Sequence, residues 1–206
     1  MFEGEARGGF KNKILYQKTM KNIFIISGPS GVGEDSIIKG LKKILPIEVI
    51  ITTTTRDLRP GESQGNPYYF ISKEEFKNGI ENNEFFEYAK EYNDNYYGVT
   101  HKEIERIKNS DKIGIWKIEY KGVIYAKKMF PNIIAIFINA PLDILEKRIR
   151  NRSNVSEEYI KERLDYTREW LKNIDIYNYK VENEEGKLKD TIKKVANIIE
   201  KNYIDD

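Results

Sequence analysis

Apolar residues in this chain are grouped in two ways. Some stand in short, nearly unbroken runs, Ile23–Ser27, Gly114–Glu119 and Ile133–Ile138. Runs of that length without alternation fit strands buried on both faces of a parallel sheet. Others recur at helical spacing, as Ile37, Ile38, Leu41 and Ile44 do within Asp35–Leu45, a helix that Pro46 ends. Val49–Thr54, rich in β-branched residues, and Tyr179–Glu182 add strands; Lys102–Lys108, Tyr120–Met129, Pro141–Asn151, Ser156–Asn173 and Leu188–Asn202 add helices. Strands alternating with helices predict an α/β fold with a parallel sheet core flanked by helices.

Between about residues 52 and 99 the pattern changes. Gly65–Ser72, Phe85–Glu91 and Asn95–Val99 mix aromatic with polar residues, and Ser72 with Glu75 forms a capping box for a helix over Lys73–Asn82. The shift predicts a small β-rich insertion on a larger frame made of residues 22–51 and 100–206. No repeat, linker or low-complexity run interrupts this plan.

Composition narrows the function classes. At 206 residues with a net charge of +2, the chain suits one domain with an insertion and lacks the strongly basic balance of a dedicated nucleic-acid binder. It has no Cys and a single imidazole, His101, so a disulfide framework, a thiolate metal site and a cysteine nucleophile are excluded. A metal would therefore arrive with a nucleotide. No apolar run reaches the roughly 18 residues of a membrane span. Met1–Lys21, polar and glycine-bearing, reads as a flexible extension with Met20 an alternative start, and its early Glu3 and Glu5 make it a poor signal peptide. The expectation is a soluble cytoplasmic protein without nucleic-acid or membrane partners.

The most informative stretch follows the first strand: Gly28, Pro29, Ser30, Gly31, Val32, Gly33, Glu34, Asp35 and Ser36. An apolar strand, a glycine-rich turn and a helix start together make a phosphate cradle. In G-x-x-x-x-G-K-[ST], backbone N–H groups face phosphate oxygens, Lys reaches the β/γ-phosphates and Ser/Thr holds Mg²⁺. Gly28 and Gly33 fit, but Glu34 stands at the lysine position and Asp35 at the Ser/Thr position. Two arginines, Arg56 and Arg59, precede a Pro-Gly turn and suit an anionic group.

Further motifs in order resemble the guanylate kinase family of nucleoside monophosphate kinases, from about Asn22 to Asn202. Thr54-Thr-Arg-Asp-Leu-Arg-Pro-Gly-Glu-Ser-Gln-Gly-Asn-Pro-Tyr-Tyr-Phe resembles the family's T-T-R-x-x-R-x-G-E-x-x-G-x-x-Y-x-F segment; Asn83-Glu-Phe-Phe-Glu-Tyr-Ala and Asn95-Tyr-Tyr-Gly resemble the next part of its acceptor region. The resemblance implies a P-loop kinase fold with a helical lid over about 148–168. It implies that Thr52, Arg56, Arg59, Tyr68 and Tyr97 hold the phosphate of GMP or dGMP and that Glu87 reads guanine, whose paired N–H donors a carboxylate can accept. Glu119 joins the GMP-binding set and, with Asp35, is the candidate ligand of the Mg²⁺ that accompanies ATP. Arg148 and Arg152, with Asn154, and Arg163 on the next helix would be lid arginines, and Arg152 and Asn183 would lie on the adenine side. With Arg56 and Lys117 these arginines form the catalytic set; the family's oligomeric form would be monomer or homodimer.

The two departures from the family cluster at the chemistry. Glu34 replaces the loop lysine, and Lys117-Ile-Glu119-Tyr-Lys-Gly122 stands where the family has D-x-D-x-Q-G. Phosphoryl transfer rests on positioning and electrostatic stabilisation, so an acid beside the β/γ-phosphates predicts weak ATP binding. The reciprocal exchange suggests that Lys117 pairs with Glu34 and returns the missing charge. Two readings stay open at this point: a GMP kinase impaired by Glu34, and an inactive module that holds GMP or a phosphorylated ligand at the acceptor site.

Overall fold

The computed structural model describes residues 22–90, 94–151 and 155–203, so the expectations for Met1–Lys21 lie outside it. The described residues fall into two compact units, one running up to Glu48 and resuming at Lys112, the other covering Val49–Asp111.

The larger unit is built on a five-stranded sheet. β1 (Ile23–Ser27) is hydrogen-bonded in parallel to β7 (Ile113–Lys117) on one side and β8 (Ile134–Asn139) on the other; β9 (Tyr179–Glu182) extends the sheet in parallel beyond β8, and β2 (Ile47–Val49) closes the edge beside β7. Every residue of β1 is buried, which explains its unbroken apolar run: neither face meets water. Around the sheet lie α1 (Glu34–Leu41), α4 (Tyr120–Met129), α5 (Leu142–Arg150), α6 (Glu157–Lys172) and α7 (Leu188–Asn202). α7 packs against α1 and β9. Gly40 makes that approach possible, since a Cβ there would fall 2.2 Å from Ile192 Cδ1. α5 and α6 share their own apolar cluster of Ile149, Ile160 and Leu164, with Leu142, Val155 and Tyr159 packed against it.

The smaller unit carries a four-stranded sheet in the order β4 (Tyr69–Phe70), β3 (Thr53–Thr54), β6 (Tyr96–Thr100), β5 (Phe85–Lys90). One of its faces is filled by Phe76 of α2 (Lys73–Glu81), which contacts Phe85, Tyr88 and Tyr96. The capping box is present: Ser72 accepts from Glu75 N–H while Glu75 accepts from Ser72 N–H.

Two strand expectations change. Val49–Thr54 is not one strand: the chain leaves the first sheet after Val49 and joins the second at Thr53. In the crossing, α3 (His101–Lys108) satisfies backbone groups that would otherwise need a ladder partner. Glu103 Oε1 accepts from Ile51 N–H at 2.7 Å, and Arg106 donates to the Val49 carbonyl at 3.0 Å. α3 also packs on β5 and β6 within the smaller unit. The 65–72 strand shortens to Tyr69–Phe70, because Gly65 and its neighbours close a turn in which Ser63 and Asn66 bridge.

Glu103 is only 3% exposed and is the hub of this crossing, accepting from Ile51 and twice from Arg106. Glu103→Ala strands these donors and should destabilise the protein by about 2–3 kcal/mol. Urea unfolding measures the loss.

Candidate functional site

In the smaller unit, cross-strand register decides which side chains meet. Residues directly opposite share a face, so Tyr97, opposite both Thr54 and Ala89, lies on the same face as Glu87, opposite Val99. This is the face turned away from α2. A bulge between Phe85 and Glu87 lets Phe85 and Phe86 both be buried while Glu87 emerges half-exposed. On the same side, Tyr68 meets Tyr97 edge-to-face at 6.1 Å, and the Arg56 guanidinium lies 5.4 Å from both the Tyr68 and Phe70 rings. Arg56, Tyr68 and Tyr97 thus lie together, with Glu87 on their face. Thr52 precedes β3, its carbonyl taken by Tyr69 N–H, and Arg59 sits exposed in the following loop.

Glu62, which the sequence offered only as a motif letter, organises this loop. Its Oε1 accepts from Arg56 at 2.8 Å and its Oε2 from the Arg59 backbone N–H at 2.8 Å, while Arg56 also donates to the Asp57 carbonyl. The Arg56 guanidinium holds Glu62 below the usual carboxylate range. An ionised Glu62 thereby fixes the arginine's direction before any ligand arrives. The signal was present, an acid six residues after Arg56 beyond a Pro-Gly turn.

In the larger unit, β1 delivers the chain into the glycine loop, and the loop is held from behind. Gly31 (φ 89°) and Gly33 (φ 93°) take the left-handed conformation that only glycine adopts without strain. A Cβ on Gly28 would fall 2.3 Å from the Ile138 carbonyl oxygen, so the loop's first residue must also be glycine. The Val32 carbonyl accepts from Asn183 Nδ2 at 2.7 Å, the Gly31 carbonyl from Arg148 at 3.4 Å. Because a peptide's C=O and N–H point in opposite directions, drawing the Val32 carbonyl to the back turns the Gly33 N–H the other way, while the Val32 N–H stays inside the loop on the Pro29 carbonyl at 3.1 Å. The α1 N-terminus follows at Glu34 and adds its dipole.

Asn183 has its amide in the fold: expected on the adenine side, it is 4% exposed, donating to Val32 and accepting from Thr191 at 3.1 Å. Arg148 is where the lid reading put it, at the end of α5, but its contacts are the backbone carbonyls of Gly31 and Asn183. Arg163 on α6 lies 5.1 Å from the Tyr159 ring. Arg152 and Asn154 lie outside the described residues.

Lys117 acts on Glu34 through its charge, while the hydrogen bond it makes goes to the neighbouring acid. Lys117 ends β7, in register with Ile26 of β1, and its Nζ donates to Asp35 Oδ1 at 2.7 Å, one residue beyond Glu34. Asp35 is 86% exposed against 26% for Lys117, so the pair lies at the open side of the loop. Glu34 retains partial solvent contact, yet its carboxyl lies back against the loop and accepts from Gly28 N–H. Burial pushes its pKa up to about 8, against the opposing pull of Lys117 and with a further push from Asp35 and Glu119. Near neutrality the loop thus carries an acid that is largely protonated, which softens the charge inversion seen in the sequence. Glu119, exposed at the α4 N-cap, accepts from Tyr166 of α6 at 2.6 Å.

The family model described as guanylate kinase matches residues 20–202. A guanylate kinase of Rickettsia felis is 39% identical, the match covering 88% of this chain and 95% of that protein. One of Clostridium tetani is 37% identical, covering 86% and 84%. The crystal structure of guanylate kinase from Anaplasma phagocytophilum superposes with a TM-score of 0.69 at 24% identity, covering 89% of this chain and 87% of that one; it shows the shared fold. Among the described residues no helix is long and apolar enough to cross a membrane.

Glu34 ties the loop to pH. Its folded pKa of about 8 lies above the ordinary 4.5, so between these values the folded state binds more protons than the unfolded state. Its contribution to stability is fully present below 4.5 and is lost as pH rises through about 8. Glu34→Gln should flatten this part of the profile, measured by urea unfolding at a series of pH values.

Proposed function

The chain belongs to the guanylate kinase family, and from that premise we propose that it transfers the γ-phosphoryl group of ATP to GMP or dGMP, with Lys117 standing in for the absent loop lysine. The observation that carries the second half is the Lys117 ammonium at the first turn of α1, reached from the neighbouring strand rather than from the loop. Its present partner does not bar this role. An exposed ion pair is worth about 0–1 kcal/mol, far less than a polyphosphate offers a cation beside backbone donors.

The acceptor side supplies the other half. Arg56, pre-aimed by Glu62 and flanked by Tyr68 and Phe70, takes the GMP phosphate with Arg59, Tyr68, Tyr97 and Thr52; Glu87 accepts from the guanine edge. That phosphate is already an anionic nucleophile, so no general base is required. The charge spread over the transferred group falls to Arg148, Arg152 and Arg163, and Arg148 keeps donors beyond the two it spends on backbone carbonyls. Lid closure over 148–168 would bring them to the phosphates and exclude water.

Mg²⁺ usually takes one or two protein carboxylates and completes its shell with phosphate and water. Asp35 and Glu119 each present an exposed carboxylate, the kind of ligand such an ion takes. These two would hold the ion, which neutralises charge on the β- and γ-phosphates. We further propose a monomer or homodimer acting in the cytoplasm without nucleic-acid partners. Nothing in the site or the relatives favours the inactive-module reading.

The test is ADP formation from MgATP with and without GMP. The chain should form ADP only when GMP is present, and GMP-independent formation or none would overturn the proposal. Arg56→Ala should lower kcat/KM for GMP about a hundredfold or more, and Glu34→Lys should raise kcat/KM for ATP.

A further inference from the structure

Beneath the phosphate loop runs a buried chain of hydrogen bonds that nucleotide binding does not use. Trp170 Nε1 of α6 donates to Tyr177 Oη at 2.8 Å. Tyr177 Oη and Ser27 Oγ lie 2.9 Å apart, and Ser27 Oγ donates to the Ile118 carbonyl at 2.6 Å. Direction follows by elimination. Indole N–H can only donate, and the Ser27 proton is committed to a carbonyl, so the Tyr177 hydroxyl must donate to Ser27. Every hydroxyl in the relay is used once in each direction. Trp170, Tyr177 and Ser27 are 3%, 6% and 0% exposed, so water cannot replace a lost partner from the surface.

The two ends of the relay touch the chemistry. Ser27 is the last residue of β1 and is bonded directly to Gly28, which has no slack because even a Cβ would strike the Ile138 carbonyl. Ile118 lies between Lys117 and Glu119. At the other end, Trp170 stands one turn beyond Tyr166, whose ring it meets at 5.8 Å and whose hydroxyl holds Glu119; Arg163 stands about one turn before Tyr166. The same hydroxyls therefore link α6 to the start of the phosphate loop and to the Lys117–Glu119 turn.

Resting on the phosphoryl transfer proposed above, we propose that Tyr177 is a positioning residue for that step: its hydroxyl, donating to Ser27 and accepting from Trp170, fixes the α6 arginine against the phosphate loop and the Lys117–Glu119 turn. The loop's carbonyls are held separately by Asn183 and Arg148, so loss of the relay loosens the loop at its start without unfolding it. What changes is the mutual placement of the groups that act on the transferred phosphoryl. Small misplacement of such groups costs turnover rather than acceptor binding.

Tyr177→Phe removes the hydroxyl alone and keeps the ring that packs 5.0 Å from Phe137. Two readouts are taken on the full chain. In hydrogen–deuterium exchange without nucleotide, segments 27–34 and 117–121 should exchange faster while β9 and α7 do not. In steady-state kinetics, kcat should fall roughly tenfold to a hundredfold, with KM for GMP within about twofold of the parent. Exchange rising evenly along the chain, or kcat equal to the parent's, would overturn the proposal, since a purely structural tyrosine gives one or the other. Ser27→Ala cuts the same relay from its other side and serves if Tyr177→Phe does not fold. The double variant should be no slower than the worse single one, because both remove a single chain; multiplied losses would contradict the relay.

Discussion

A glycine loop binds phosphate only if its peptide planes are turned so that N–H groups face the ligand, and in this protein two contacts hold the loop from behind, one of which turns the Gly33 N–H outward. Asn183 takes the Val32 carbonyl and Arg148 the Gly31 carbonyl. Asn183 can do so because β9 lies in parallel beside β8 and places its own backbone N–H on Asn139. The parallel sheet is thus more than a core. Its strand order carries β1 between β7 and β8, bringing Lys117 to the loop from one side and the Ile138 carbonyl against Gly28 from the other.

The charge inversion reads differently once this geometry is known. An acid at the lysine position looked like an anion pressed against the phosphates. Instead its carboxyl folds back onto the loop, where burial favours the protonated form, and the nearby cation pairs with Asp35 at the surface. The local balance comes from two strands and one helix turn. No single one of these positions discloses it.

Much of the fold was legible because its determinants are local. Three apolar runs, the Ser72–Glu75 capping box and the glycine spacing each carry their physical reason within a few residues. The Val49–Thr54 region was misjudged because the side chains that satisfy its backbone, Glu103 and Arg106, come from a helix some fifty residues later. The same distance hid the roles of Asn183 and Tyr177, whose partners Val32 and Ser27 lie about 150 residues away. Arg56, Tyr68 and Tyr97 were readable as a set. The acid that aims Arg56 was not, since Glu62 looks like any exposed turn residue until its two contacts are seen.

The central claim is that Lys117 does the work of a loop lysine, and it is tested most directly by calorimetric titration of a non-hydrolysable MgATP analogue into the parent and Lys117→Met. If Lys117 meets the phosphates, the variant should bind at least about tenfold more weakly, the loss expected when a charged hydrogen bond to phosphate is removed. Equal affinity in the two proteins would contradict the account and leave the backbone cradle alone to hold ATP.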